Sequence, residues 1–132
     1  MKITVPFSLK GSEIGDILSD SEDHPFEPCP GSPNCIVVSK SFNITPDKLF
    51  PVTSTSLQKM NPFQIKTDSQ SLKVKAVFRI PVFLFKDDFQ IIITANNASS
   101  ILHVKSNSRV GHSDLGVNRR RVQKFLSLLT WV

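Results

Sequence analysis

The residues able to do chemistry gather late in the chain. Phe85-Lys86-Asp87-Asp88-Phe89 places two adjacent carboxylates at the start of an apolar run. Ser106-Asn107-Ser108-Arg109, then Gly111-His112-Ser113-Asp114 and Asn118-Arg119-Arg120-Arg121, supply hydroxyls, an imidazole, a third carboxylate and four guanidinium groups. Four chemistries compete for this set. The first is a structural network in which Arg109 pairs with Asp87, Asp88 or Asp114, since a guanidinium fork matches a carboxylate bidentately. The second is an anion site, built from arginines and the free N–H groups of a helix start. The third is a hydrolase, with Ser108 or Ser113 as nucleophile and His112 as base. No Gly-x-Ser-x-Gly elbow accompanies these residues, so catalytic residues are not assigned. The fourth is metal binding by His112 with Asp87, Asp88 or Asp114. It lacks any distinctive spacing, and neither metal nor cofactor is expected.

The elements around these residues predict how they meet. Asp88–Thr94 and Ile101–Ser106 read as strands around a polar turn, Ala95 to Ser100, which makes a hairpin. If the turn centres on Asn97-Ala98, Asp88 faces Asn107 and Asp87 faces Ser108, with Arg109 one step beyond. The loop that follows leads to a helix from Asn118. In it Val122, Phe125, Leu126 and Leu129 form an apolar stripe, and Asn118 suits the cap. One region thus collects Asp87, Asp88, Ser106, Ser108, Arg109, His112, Asp114, Asn118 and Arg120. Arginines in a first helical turn oppose the helix dipole and call for an anion, internal or bound.

Upstream, Leu72–Ile80 alternates Val74, Ala76, Phe78 and Ile80 against Lys73, Lys75, Val77 and Arg79, a strand with two unlike faces. Phe63–Lys66 and Ile36–Val38 are shorter strand candidates. Thr45-Pro46-Asp47 starts a helix that Asn61-Pro62 ends. The fold expected is α+β: an antiparallel sheet of four to five strands with two helices packed on one face. Pro28-Cys29-Pro30-Gly31-Ser32-Pro33-Asn34-Cys35 forbids a helix and holds both cysteines. Cys29 and Cys35 close the loop as a disulfide, supply half of a zinc site, or stay free thiols. Their spacing and the missing second pair disfavour zinc.

Composition bounds the class. The chain has 132 residues, 39% hydrophobic and 20% charged, enough for one packed domain. Its aromatics are ten Phe and one Trp with no Tyr, which favours core filling over base stacking and argues against nucleic acid as partner. No apolar run is long enough for a transmembrane segment, and the first residues lack a signal peptide's pattern. The net charge is +5. Residues 1–100 balance, and the excess sits in Lys105, Arg109, Arg119, Arg120, Arg121 and Lys124 against Asp114. Residues 1–28 read as a mobile acidic tail before a single domain over 29–132. Asn43-Ile44-Thr45 and Asn97-Ala98-Ser99 match the glycosylation tripeptide and are taken as chance.

Three stretches together carry a resemblance: Cys29 to Cys35, Phe85 to Phe89, and Ser106 to Val122. They resemble the domain-of-unknown-function 1499 family of bacteria and plant plastids. Its pattern runs Cys-Pro-x-Ser-Pro-Asn-Cys, Phe-x-Asp-Asp, then Ser-x-Ser-Arg-x-Gly-x-Ser-Asp-x-Gly-x-Asn-Arg-x-Arg. His112 stands where that pattern often has an aromatic, and Ser39 is what remains of a serine-rich stretch after the second cysteine. The resemblance implies no reaction. The expectation is a non-enzymatic binding or accessory protein. Its partner would be an anionic small molecule or a membrane-associated partner engaged through Arg109–Arg121. Its expected location is cytoplasmic, with plastid or envelope association as the alternative.

Overall fold

Period-two alternation of apolar residues builds most of the chain. The computed structural model describes residues 24–31, 34–80, 85–110 and 116–129. Its strands are β1 (Cys35–Phe42), β2 (Gln64–Asp68), β3 (Lys73–Ile80), β4 (Phe85–Asn96) and β5 (Ser99–Ser108). Helix α1 (Pro46–Gln58) lies between β1 and β2, and helix α2 (Val117–Ser127) follows β5. The strands form one sheet in the order β1-β5-β4-β3-β2, with every neighbouring pair antiparallel. This is the expected α+β arrangement, with five strands and two helices.

Strands β2 to β5 follow one another as hairpins, while α1 carries the chain from one edge strand to the other. One face of the sheet is apolar. Val38, Val74, Phe89, Ile91, Leu102 and Val104 are buried there with Leu49 and Leu57 of α1 and Val122 and Phe125 of α2. Both helices therefore pack on the same face. Phe125 meets Phe89 edge-on at 5.4 Å between ring centroids, and Phe89 meets Phe78 the same way at 5.8 Å.

Local chemistry sets the ends of the elements. Pro46 takes the first position of α1, where its missing N–H costs nothing. Thr45 holds the N-cap place, but its side chain makes no capping hydrogen bond. Pro51 lies within the helix at an exposed position. The β4–β5 turn holds Asn97 at φ 59°, a left-handed conformation that asparagine tolerates. Ahead of β1, Cys29 and Cys35 are joined as a disulfide with Cα atoms 5.6 Å apart. This ties the segment from His24 to Gly31 to the sheet. The Lys105 ammonium donates to the Glu27 carbonyl at 2.7 Å, so the segment crosses the sheet's second face. Residues 1–23, expected as a mobile tail, lie outside the described residues.

Candidate functional site

The hairpin register is the one expected: Asp88 pairs with Asn107 and Asp87 with Ser108. Successive strand residues point to opposite faces, and this divides the expected single cluster in two. Asp87, Ser106 and Ser108 share the core face with Phe89 and Val104, while Asp88, Asn107 and Arg109 belong to the outer face.

On the core side the network is internal. Asp87 is fully buried, and its Oδ2 accepts from Arg121 Nη1 at 2.8 Å. The Arg121 guanidinium also lies over the Phe78 ring, 4.6 Å from its centroid. Asp87 Oδ1 is buried without a hydrogen-bond partner. Asn118 was expected at the helix cap; Gly116 holds that place instead, at φ 81°. Only glycine adopts this backbone without strain, and a Cβ there would also come within 2.9 Å of Arg120 Nη1. Arg120 is thus folded back over the helix start. Asn118, one residue inside the helix, is buried. It accepts from the Ser106 hydroxyl at 2.5 Å and donates to Ser108 Oγ at 2.9 Å and to the Asn34 carbonyl at 3.2 Å. Because that carbonyl also accepts from the Ser108 amide at 3.0 Å, one side chain joins α2, β5 and the approach to β1.

The outer face carries the open positive charge. Arg109 grips Asp88 bidentately, Nε to Oδ2 at 3.0 Å and Nη2 to Oδ1 at 2.9 Å, and stays 46% exposed. The Asp88 hydrogen bond, then its charge, hold the Arg109 guanidinium even more firmly protonated than usual. The β2–β3 register puts Lys66 opposite Lys75 on the same face. Gln64, Lys66, Lys75, Asp88, Gln90 and Arg109 line a shallow polar cavity of about 760 Å³. Farther along this face His103 is buried between two hydroxyls, Nδ1 to Ser39 Oγ at 2.8 Å and Nε2 to Thr94 Oγ1 at 3.1 Å. Burial, then the nearby His24, push its pKa below the ordinary imidazole value.

His112, Ser113 and Asp114 lie outside the described residues. Of the other expected residues, Asp87, Ser106, Ser108 and Asn118 come together beneath the sheet, and Asp88 and Arg109 come together above it. Arg121, Lys66 and Lys75 were not singled out in advance. Arg121 had a legible signal, since it shares a helical face with Asn118 and Phe125 at spacings of three and four. Lys66 and Lys75 become neighbours only through the β2–β3 register. Among the described residues, no three His, Cys, Asp or Glu side chains gather as a metal would require.

The model of the family described as Protein of unknown function (DUF1499) matches residues 26–129. None of the curated proteins matches the chain in sequence. Among solved structures, the crystal structure of Ara h 8.0201 superposes with a TM-score of 0.55 at 12% identity, covering 74% of this chain and 95% of that one. The crystal structure of TTHA0849 from Thermus thermophilus gives a TM-score of 0.49 at 7% identity, over 74% of this chain and 94% of that one. The first of these likenesses is one of fold alone.

Proposed function

We propose, from the premise that the chain belongs to the DUF1499 family of proteins of unknown function, that it is a non-enzymatic binding protein holding a small anionic ligand on the outer face of its sheet. The observation that carries this reading is the composition of the outer-face cavity. Three cations, Lys66, Lys75 and Arg109, and two amides, Gln64 and Gln90, converge on about 760 Å³, and Asp88 is the single acid among the lining residues. That volume suits a small molecule. Asp88 already engages two nitrogens of Arg109, which orients the guanidinium while the side chain stays 46% exposed. The two lysines supply mobile point charges suited to phosphate or carboxylate.

The expected anion site at the start of α2 draws less support. Arg121 is consumed by Asp87, and Arg120 lies against Gly116. The hydrolase alternative also draws little: the Ser108 oxygen accepts from the Asn118 amide, no hydrogen bond among the described residues joins it to a base, and His112 and Ser113 lie outside the described residues. The Cys29–Cys35 bond supports an oxidising compartment, and so the envelope alternative, over the cytoplasm. The test is a thermal-shift and calorimetric screen against inorganic phosphate, nucleotides and dicarboxylates. A binder is expected to raise the melting temperature of the parent and to lose its effect in Lys75→Gln. A screen without hits, or turnover of generic esters and phosphoesters, would end the reading.

A further inference from the structure

We infer that one end of the sheet is a docking edge for an anionic lipid bilayer. Strands β3 and β4 and the residue just after β5 each contribute one cation at the same level of the outer face. Arg79 of β3 pairs in register with Lys86 of β4, and the Arg109 amide bonds to the Lys86 carbonyl at 3.1 Å. Phe63, just ahead of β2, completes the row, since its amide bonds to the Val77 carbonyl at 2.7 Å. The Arg79 guanidinium stacks 3.9 Å from the Phe63 ring centroid, and Lys86 Nζ lies 5.6 Å away. Asp88 answers Arg109, which leaves the row with a net excess of two positive charges.

One residue farther toward the end of the sheet, the surface becomes apolar. Phe85 is 48% exposed and Val110 56% exposed, and with Phe63 at 42% they are the exposed large apolar side chains among the described residues. All three lie at one end of the sheet: Phe63 stacks on Arg79, and Phe85 and Val110 are the chain neighbours of Lys86 and Arg109, Phe85 turned toward the opposite face from Lys86. A bilayer surface matches that grouping. Apolar side chains enter the acyl boundary while Arg and Lys stay at the level of anionic headgroups. Charge complementarity selects an anionic bilayer over a neutral one. This edge is distinct from the cavity that holds the soluble ligand, although Arg109 borders both.

The test is co-sedimentation of the full chain with vesicles of phosphatidylcholine alone and of phosphatidylcholine mixed with phosphatidylglycerol. Binding is expected on the mixed vesicles only, and it should weaken as salt rises. Arg79→Gln with Lys86→Gln should weaken it about 25-fold, roughly fivefold for each cation. Phe85→Ser or Val110→Ser should each weaken it about five- to tenfold with no change in charge. All four positions are at least partly exposed, and Val110→Ser, more exposed than Phe85, keeps the test valid if another variant misfolds. The inference is overturned if the protein ignores both vesicles, binds both equally, or binds the mixed vesicles as well in every variant. It is overturned too if free glycerol phosphate releases the protein, which would reduce the edge to a phosphate site. A dimer of the parent that dissociates in Phe85→Ser would instead make the edge an interface between copies.

Discussion

Replacing Arg121 with methionine tests whether the buried half of the cluster is a structural network. The substitution keeps an unbranched stem against Phe78 and removes the charge 2.8 Å from Asp87. Asp87 has no exposed surface, Arg121 retains 13%, and Asp87 Oδ1 already lacks a partner. The variant therefore leaves a buried carboxylate with nothing to answer it. Breaking a buried pair in this way costs about 3–5 kcal/mol, a large part of the roughly 5–15 kcal/mol that holds a domain folded. Asp87→Asn should cost less, about 1–3 kcal/mol, because the partly exposed Arg121 can turn to water. Asp87→Leu combined with Arg121→Met should recover most of the loss, since an apolar pair carries no desolvation penalty. Urea unfolding of these variants and the parent at neutral pH measures each difference and its coupling. The reasoning is refuted if Arg121→Met unfolds within about 1 kcal/mol of the parent. It is equally refuted if the double variant is no more stable than Arg121→Met alone.

Asn118→Ala should lower stability by about 1–3 kcal/mol in the same assay, because the Ser106 hydroxyl and the Asn34 carbonyl lose a buried partner. His103 has a folded-state pKa below its ordinary value of 6.5, so the folded state favours the neutral ring. Its contribution is intact above that pH and is lost as pH falls below it. The melting temperature should drop from pH 7 to pH 5 at a rate that His103→Gln reduces, and a pH series of melting curves reads this. The Cys29–Cys35 bond closes a loop with a sequence separation of 6, worth about 2 kcal/mol by chain entropy. Reductant or Cys29→Ser with Cys35→Ser should lower the melting temperature to match, and the untreated protein should show no thiol titre.

Much of the architecture was legible in sequence because it rests on local periodicity. The alternation Val74, Ala76, Phe78 against Lys73, Lys75, Arg79 gave β3 and its two faces. The stripe Val122, Phe125, Leu126 gave α2, and a turn centred on Asn97-Ala98 was enough to set the β4–β5 register. The same turn brought Asp87 and Asp88 within reach of Arg109 with Asp114 as a third choice, and the fold selects Asp88. What sequence alone misjudged was the unity of the cluster. Adjacent aspartates look like one acidic site on paper, yet a strand sends Asp87 under the sheet to Arg121 and Asp88 above it to Arg109.

Sequence by itself determined β3, α2, the start of α1 and the β4–β5 pairing, since each follows from side-chain order over a few positions. Tertiary structure decided where the charge acts. Along the chain, residues 1–100 are electrically balanced and the positive excess belongs to the C-terminal quarter. In the folded sheet, Lys66 from β2, Lys75 and Arg79 from β3, Lys86 from β4 and Arg109 after β5 share one face, while Arg121 is spent inside on Asp87. The physical reason is that a sheet joins residues across strands by register, so charges far apart in the chain become neighbours on one surface.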